Sequence, residues 1–224
     1  MLPKIAYLIP TFNRGGLLAS NLQKLRENLK YPGEIVLFVG DDSEDDSLAF
    51  DANDSPFPVF YKRNKPRLGL GANLNYLIDE SRRQGFTIAM QSDDDHVLLR
   101  PLDLTPHVER LEKETAWIRL SGIGSHKIKA TLDETYWRVN WHSDELYITS
   151  NRAHIKSLKW HDIYGYYPEG LKLGGTEDGF CHLNIDYARS QIAVGRVVPQ
   201  VLIPLSLDDT AFSESGHSLQ LQGY

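Results

Sequence analysis

Cysteine is nearly absent: Cys181 is the only one in 224 residues. No intrachain disulfide can form, which excludes a disulfide-stapled extracellular scaffold and fits a reducing compartment. Long hydrophobic runs are missing as well. Nothing approaches the roughly twenty apolar residues that cross a bilayer, and the N-terminus lacks the basic-then-apolar pattern of a secretory signal. We therefore expect a cytoplasmic protein without a membrane span. Basic residues are not in excess. The chain has 24 Lys and Arg against 30 Asp and Glu, a net charge of −6. That balance argues against a nucleic-acid partner, although Lys62-Arg63-Asn64-Lys65-Pro66-Arg67 is locally basic. No G-x-G-x-x-G follows the first apolar run, which excludes a dinucleotide-binding dehydrogenase. Internal repeats and low-complexity segments are lacking too.

What is present alternates strand and helix signals. Lys4 to Pro10 reads as a short buried strand. Leu17, Leu18, Leu22, Leu25 and Leu29 then form one helical stripe, stopped by Tyr31-Pro32-Gly33. Glu34 to Val39 is a second strand and Pro58 to Tyr61 a weaker third. Leu70, Leu74, Leu77 and Ile78 mark a second helix that closes near Gly85. Phe86 to Met90 is the fourth strand. Strands separated by helices imply a parallel sheet with right-handed crossovers. Every such strand then ends on one edge, the edge at which open α/β sheets bind ligands. Thr11-Phe12-Asn13, Asp41-Asp42 and Asp93-Asp94-Asp95 all fall there. The last of these places three adjacent carboxylates, whose mutual repulsion a divalent cation such as Mg²⁺ or Mn²⁺ relieves.

The second half reads differently. Trp117 to Ser121 suits a strand, and Lys127 to Trp141 alternates as a hairpin. Leu146 to Thr149 is expected to be a further strand and Arg152 to Leu158 a short helix. Gly174-Gly175-Thr176-Glu177-Asp178 opens a helix that Thr176 could cap. Val197 to Leu205 is a last strand, and Ser206 to Tyr224 a polar, loop-like tail. No linker separates the halves, so the expectation is a single domain over residues 1–224.

Five ordered segments carry a family resemblance. Leu8-Ile9-Pro10-Thr11-Phe12-Asn13-Arg14 resembles the opening strand and loop of family 2 glycosyltransferases. Asp41-Asp42-Ser43-Glu44-Asp45-Asp46-Ser47 resembles their second-strand signature. Leu68-Gly69-Leu70-Gly71-Ala72-Asn73 resembles a third segment, although Asn73 stands where the family often keeps Arg. Ser92-Asp93-Asp94-Asp95 sits at their DXD metal motif, and Thr176-Glu177-Asp178 matches their acidic position at a helix start. The resemblance spans roughly residues 4 to 190 and implies a GT-A fold, an α/β open mixed sheet flanked by helices. It also implies a metal-dependent enzyme that moves a sugar from a nucleotide-sugar, a UDP-sugar above all, to an acceptor hydroxyl with inversion.

Residue roles follow from the resemblance. Asp94 is the expected direct ligand of Mn²⁺ or Mg²⁺, with Asp95 the alternative in the other register. Asp93 would reach the donor ribose or sugar. Asp42 would accept a hydrogen bond from a uracil imide N–H, and Phe12 would pack on the base. Pro10, Thr11 and Asn13 complete that loop. Arg67 could pair with the diphosphate, since a guanidinium matches phosphate oxygens. Asp178 is the candidate general base, with Glu177 second, and His217 could close the metal site from the tail. Residues 1–100 would then form the nucleotide-binding half and 101–224 the acceptor-binding half. The acceptor, whether glycan, lipid-linked sugar, protein or modified base, stays open. Two other functions compete. A non-catalytic nucleotide-sugar or glycan-binding module needs the same sheet edge but not the full acidic set. A sugar nucleotidylyltransferase needs a Gly-rich phosphate loop that Gly15-Gly16 alone does not supply.

Overall fold

A computed structural model describes residues 2–121, 127–172, 174–206 and 212–214. The elements run β1 (Ile5–Thr11), α1 (Gly15–Asn28), β2 (Leu29–Lys30), β3 (Ile35–Asp41), β4 (Val59–Arg63), α2 (Leu70–Arg83) and β5 (Ile88–Gln91). They continue as β6 (His96–Leu98), β7 (Leu102–Asp103), α3 (Thr105–Lys113), β8 (Ala116–Arg119), β9 (Ala130–Asp133) and β10 (Tyr136–Val139). The last are β11 (His154–Ser157), α4 (Trp160–Tyr164), α5 (Gly175–Ala193), β12 (Gln200–Pro204) and β13 (Phe212–Glu214). Among the described residues one nine-stranded sheet forms, in the order β4-β3-β1-β5-β11-β8-β12-β10-β9.

The first four of these strands are all parallel, as βαβ connections require. β1 is central and buried on both faces, which explains its nearly continuous apolar sequence. Ile5, Tyr7 and Ile9 enter one core with Leu18, Leu22 and Leu25 of α1 and Val108 of α3. Ala6 and Leu8 enter the other with Leu74, Leu77 and Ile78 of α2, Trp160 of α4 and Phe180 of α5. The result is one mixed α/β domain with helices on both faces of the sheet. Both halves share these cores. A Cβ at Gly71 would lie 2.0 Å from the Pro168 carbonyl oxygen, so only glycine lets α2 approach the segment that leads to α5. No helix among the described residues is long and apolar enough to cross a membrane.

Several local expectations are corrected. The segment expected to be a helix, residues 152–158, instead holds strand β11 (His154–Ser157). β11 lies between β5 and β8, antiparallel to both. Its polar residues His154 and Lys156 are fully buried, so its pattern shows neither strand alternation nor an apolar run. Residues 146–149 form a turn rather than a strand. Here backbone N–H groups bond to side chains, Tyr147 N to Glu145 Oε1 at 2.9 Å and Asn151 N to Glu177 Oε1 at 2.9 Å, which competes with a ladder. Leu29 leaves the α1 stripe for β2. Gly174, at φ +78°, precedes α5 in the cap position, and the Thr176 hydroxyl donates to the Pro168 carbonyl at 3.3 Å. The tail is not all loop, because β13 pairs with β6, Glu214 opposite His96. His217 lies outside the described residues. Trp141, Tyr164 and Tyr167 pack with Trp160 in the second core.

Candidate active site

β5 ends at Gln91, and the acidic run follows at the sheet's carboxyl edge. Its middle residue, Asp94, turns inward and is clasped by the first βα unit. Thr11 Oγ1 donates to Asp94 Oδ2 at 2.7 Å, and Arg14 Nη1 donates to Asp94 Oδ1 at 3.0 Å. Asn21 Nδ2 of α1 holds the Asp94 backbone carbonyl at 3.0 Å. The same Arg14 nitrogen reaches Asp95 Oδ2 at 2.9 Å. Burial raises the Asp94 carboxyl above its ordinary range, opposed by Arg14 and Thr11.

The flanking residues form a group that could hold a cation. One ligand atom each from Asp93, Asp95 and His96 falls within 4.8 Å of the others. His96 Nδ1 accepts the Asp93 N–H at 3.1 Å. Burial pushes the Asp93 carboxyl well up, reinforced by the charges of Asp95, Asp94 and Glu177 and opposed by Arg14. Carboxylates this close repel one another, and a divalent ion would relieve that repulsion.

The other side of the cleft is built from β3 and the loops beside it. Asp41 and Asp42 divide the work. Asp41 is fully buried and structural: it accepts Ser43 N at 2.8 Å, Phe50 N at 2.9 Å and the Tyr61 hydroxyl at 2.9 Å. Asp42 faces the cleft. Its carboxylate accepts Asn64 Nδ2 at 2.9 Å, Leu68 N at 3.2 Å and Gly69 N at 2.8 Å. Those bonds fold residues 64–69 back over β1, which sets the Arg67 guanidinium 3.9 Å from the Phe12 ring centre, a cation–π contact. Asn13 sits at φ +55°, a conformation asparagine tolerates better than most residues. From there its Oδ1 accepts Glu44 N at 3.1 Å, and its own N–H donates to Ser43 Oγ at 2.7 Å.

The start of α5 supplies the remaining acids. Glu177 is half-buried, accepts the Asn151 N–H, and lies close enough to Asp93 to raise its carboxyl. Asp178 is exposed. Its Oδ1 accepts the Tyr147 hydroxyl at 3.2 Å and lies 3.5 Å from His182 Nδ1. Both acids complement the positive end of a 19-residue helix.

Pro10, Thr11, Phe12, Asp42, Arg67, Asp93, Asp94 and Asp95 thus line one cleft of about 180 Å³, joined by Arg14, Leu70 and Asn73. Asn13 stands behind it, tying two loops together. Glu177 and Asp178 lie at the neighbouring helix end rather than in the lining. Reasoning from sequence gave no role to Arg14, although it ends the first motif. It also passed over Tyr147, Asn64 and the backbone of Asn151, whose partners lie 22 to 31 residues away and leave no local pattern.

Comparisons with known proteins agree with this geometry. No curated protein matches the chain. Solved structures share its fold. Staphylococcus aureus TarS 1–349 in complex with UDP-GlcNAc superposes with a TM-score of 0.61 at 17% identity, over 92% of this chain and 57% of that one. The mannosyltransferase PcManGT from Pyrobaculum calidifontis, in complex with GDP-Man and Mn²⁺, gives 0.61 at 16% identity over 93% and 56%. The chain therefore spans a little over half the length of these structures. The family model for glycosyl transferase family 2 matches residues 7–168, from β1 to the Pro168 contact with α2, and the chain belongs to that family.

Proposed function

We propose that this chain transfers a sugar from a nucleotide-sugar, with UDP-sugars the favoured class, to an acceptor hydroxyl. A divalent cation assists and the anomeric carbon inverts. One observation carries the reading: the ends of β1, β3 and β5 deliver Thr11-Phe12, Asp42 and the acidic run to a single cleft beside the acidic start of α5. The TarS and PcManGT complexes hold nucleotide-sugars in the same fold.

The residues present fit Mn²⁺ or Mg²⁺. Carboxylate oxygens from Asp93 and Asp95 would hold the ion, with His96 as third donor. Asp94 is left out of this set because both its oxygens already face Thr11 and Arg14; its role is to anchor the loop. When bound, the ion stabilises the departing diphosphate as a Lewis acid. Arg67 adds positive charge on the diphosphate side. Phe12 packs on the base. Asp178 takes the acceptor proton. Residues 1–100 hold the nucleotide and 101–224 the acceptor. A panel of nucleotide-sugars incubated with Mn²⁺ or Mg²⁺ tests the reading. Metal-stimulated release of UDP from one of them is expected. Tight donor binding with no release under any condition would identify a binding module instead.

Base preference follows from Asp42. A carboxylate offers about four lone-pair sites, and Asn64, Leu68 and Gly69 occupy three. One acceptor site then remains for a ring N–H, which uracil has and adenine lacks. Calorimetry should find UDP bound more tightly than ADP. Equal or tighter binding of ADP would remove this role from Asp42, and tighter binding of GDP would move the assignment to guanine, whose ring N–H also donates.

A further inference from the structure

The two residues that precede the acidic run are gripped from opposite faces of the sheet. Along β5 and its extension side chains alternate in direction. Gln91 points into the core under α4 and α5, and Ser92 into the core under α1. On the α1 side the Tyr7 hydroxyl, itself buried, lies 2.5 Å from Ser92 Oγ. On the other side Lys156 Nζ donates to Gln91 Oε1 at 3.0 Å and to the Tyr167 hydroxyl at 3.2 Å. Tyr167 in turn donates to Gln91 Oε1 at 3.1 Å. The Lys156 amine also lies 4.4 Å from the centre of the Trp117 ring. The cavity between Tyr7, Ser92, Asp93 and α1 has a volume of about 10 Å³, room for at most one water.

Lys156 is fully buried, and among the described residues no carboxylate pairs with it. Burying an amine in this way costs stability, and an apolar residue of similar volume is often neutral or better. Its burial therefore calls for another reason. We infer that Tyr7 and Lys156 are positioning residues. By fixing Ser92 and Gln91 from the two faces, they set where Asp93 and Asp95 stand to receive the cation. The inference rests on the metal reading above.

Mn²⁺ titration by electron paramagnetic resonance in the presence of UDP, paired with thermal melting in the absence of metal, tests it. Tyr7→Phe and Lys156→Met remove one hydroxyl and one amine with little change of volume. Each is expected to weaken Mn²⁺ binding by about ten-fold, the low end for residues that orient metal ligands. Lys156→Met should melt at or above the wild-type temperature. Adding Ser92→Ala to Tyr7→Phe should weaken Mn²⁺ binding no further. If wild type binds no Mn²⁺, the metal reading falls and this inference with it. If wild type binds and both variants match it, only the inference falls. Affinity lost solely in step with melting temperature would make the residues structural and would also overturn it.

Discussion

Asp178→Asn is expected to lower glycosyl transfer by roughly 10²-fold or more, the usual scale for losing a general base, and to leave UDP affinity unchanged. In a one-step inverting reaction the acceptor attacks the face of the sugar opposite the departing diphosphate, so the base stands on the acceptor side. We propose Asp178 for that place. It is exposed at the start of α5, with the Tyr147 hydroxyl 3.2 Å from Oδ1. Glu177 instead lies near Asp93 and is engaged by the Asn151 N–H. Asparagine keeps the shape and still accepts from Tyr147, but it cannot take a proton. Turnover assays alongside UDP calorimetry separate the two effects. Normal transfer by the variant would shift the role to Glu177. A product with retained anomeric configuration would remove the one-step mechanism for either residue.

Asp95→Asn should weaken metal-dependent UDP binding by about 2 kcal/mol or more, the range for losing a charged hydrogen-bonding partner, which is roughly 30-fold. Asp94→Asn should act differently. Its carboxylate joins Thr11 of β1 to Arg14 at the start of α1, and its backbone carbonyl holds Asn21. The main consequence there is a lower melting temperature without metal. In Asp95→Asn the lost Arg14 contact is offset by relief of repulsion from Asp93 and Asp94, so the melting temperature should move little. The comparison decides the ligand assignment. A larger loss of metal-dependent binding in Asp94→Asn, at unchanged melting temperature, would return the ligand role to Asp94.

The sequence by itself determined the first half of the fold and which residues meet at the sheet's carboxyl edge. β1, β3 and β5 are buried on both faces, so their apolar runs are nearly unbroken, and parallel pairing sends each exit to one edge. That placed Thr11, Phe12, Asp42 and the acidic run together before any coordinates. The start of α5 was legible for a related reason, because Gly174 and Gly175 followed by acids suit a helix N-terminus.

What only the tertiary structure decided depends on partners far apart in the chain. β11 was unreadable because His154 and Lys156 are polar yet buried, one stacked on Trp117 and the other held by Gln91 and Tyr167. Hydrophobic periodicity registers burial only where burial is apolar. The different contacts of Asp93, Asp94 and Asp95 were equally hidden. Three identical side chains carry no local signal of their contacts, and Arg14 and Thr11, some eighty residues upstream, hold both carboxylate oxygens of the middle one.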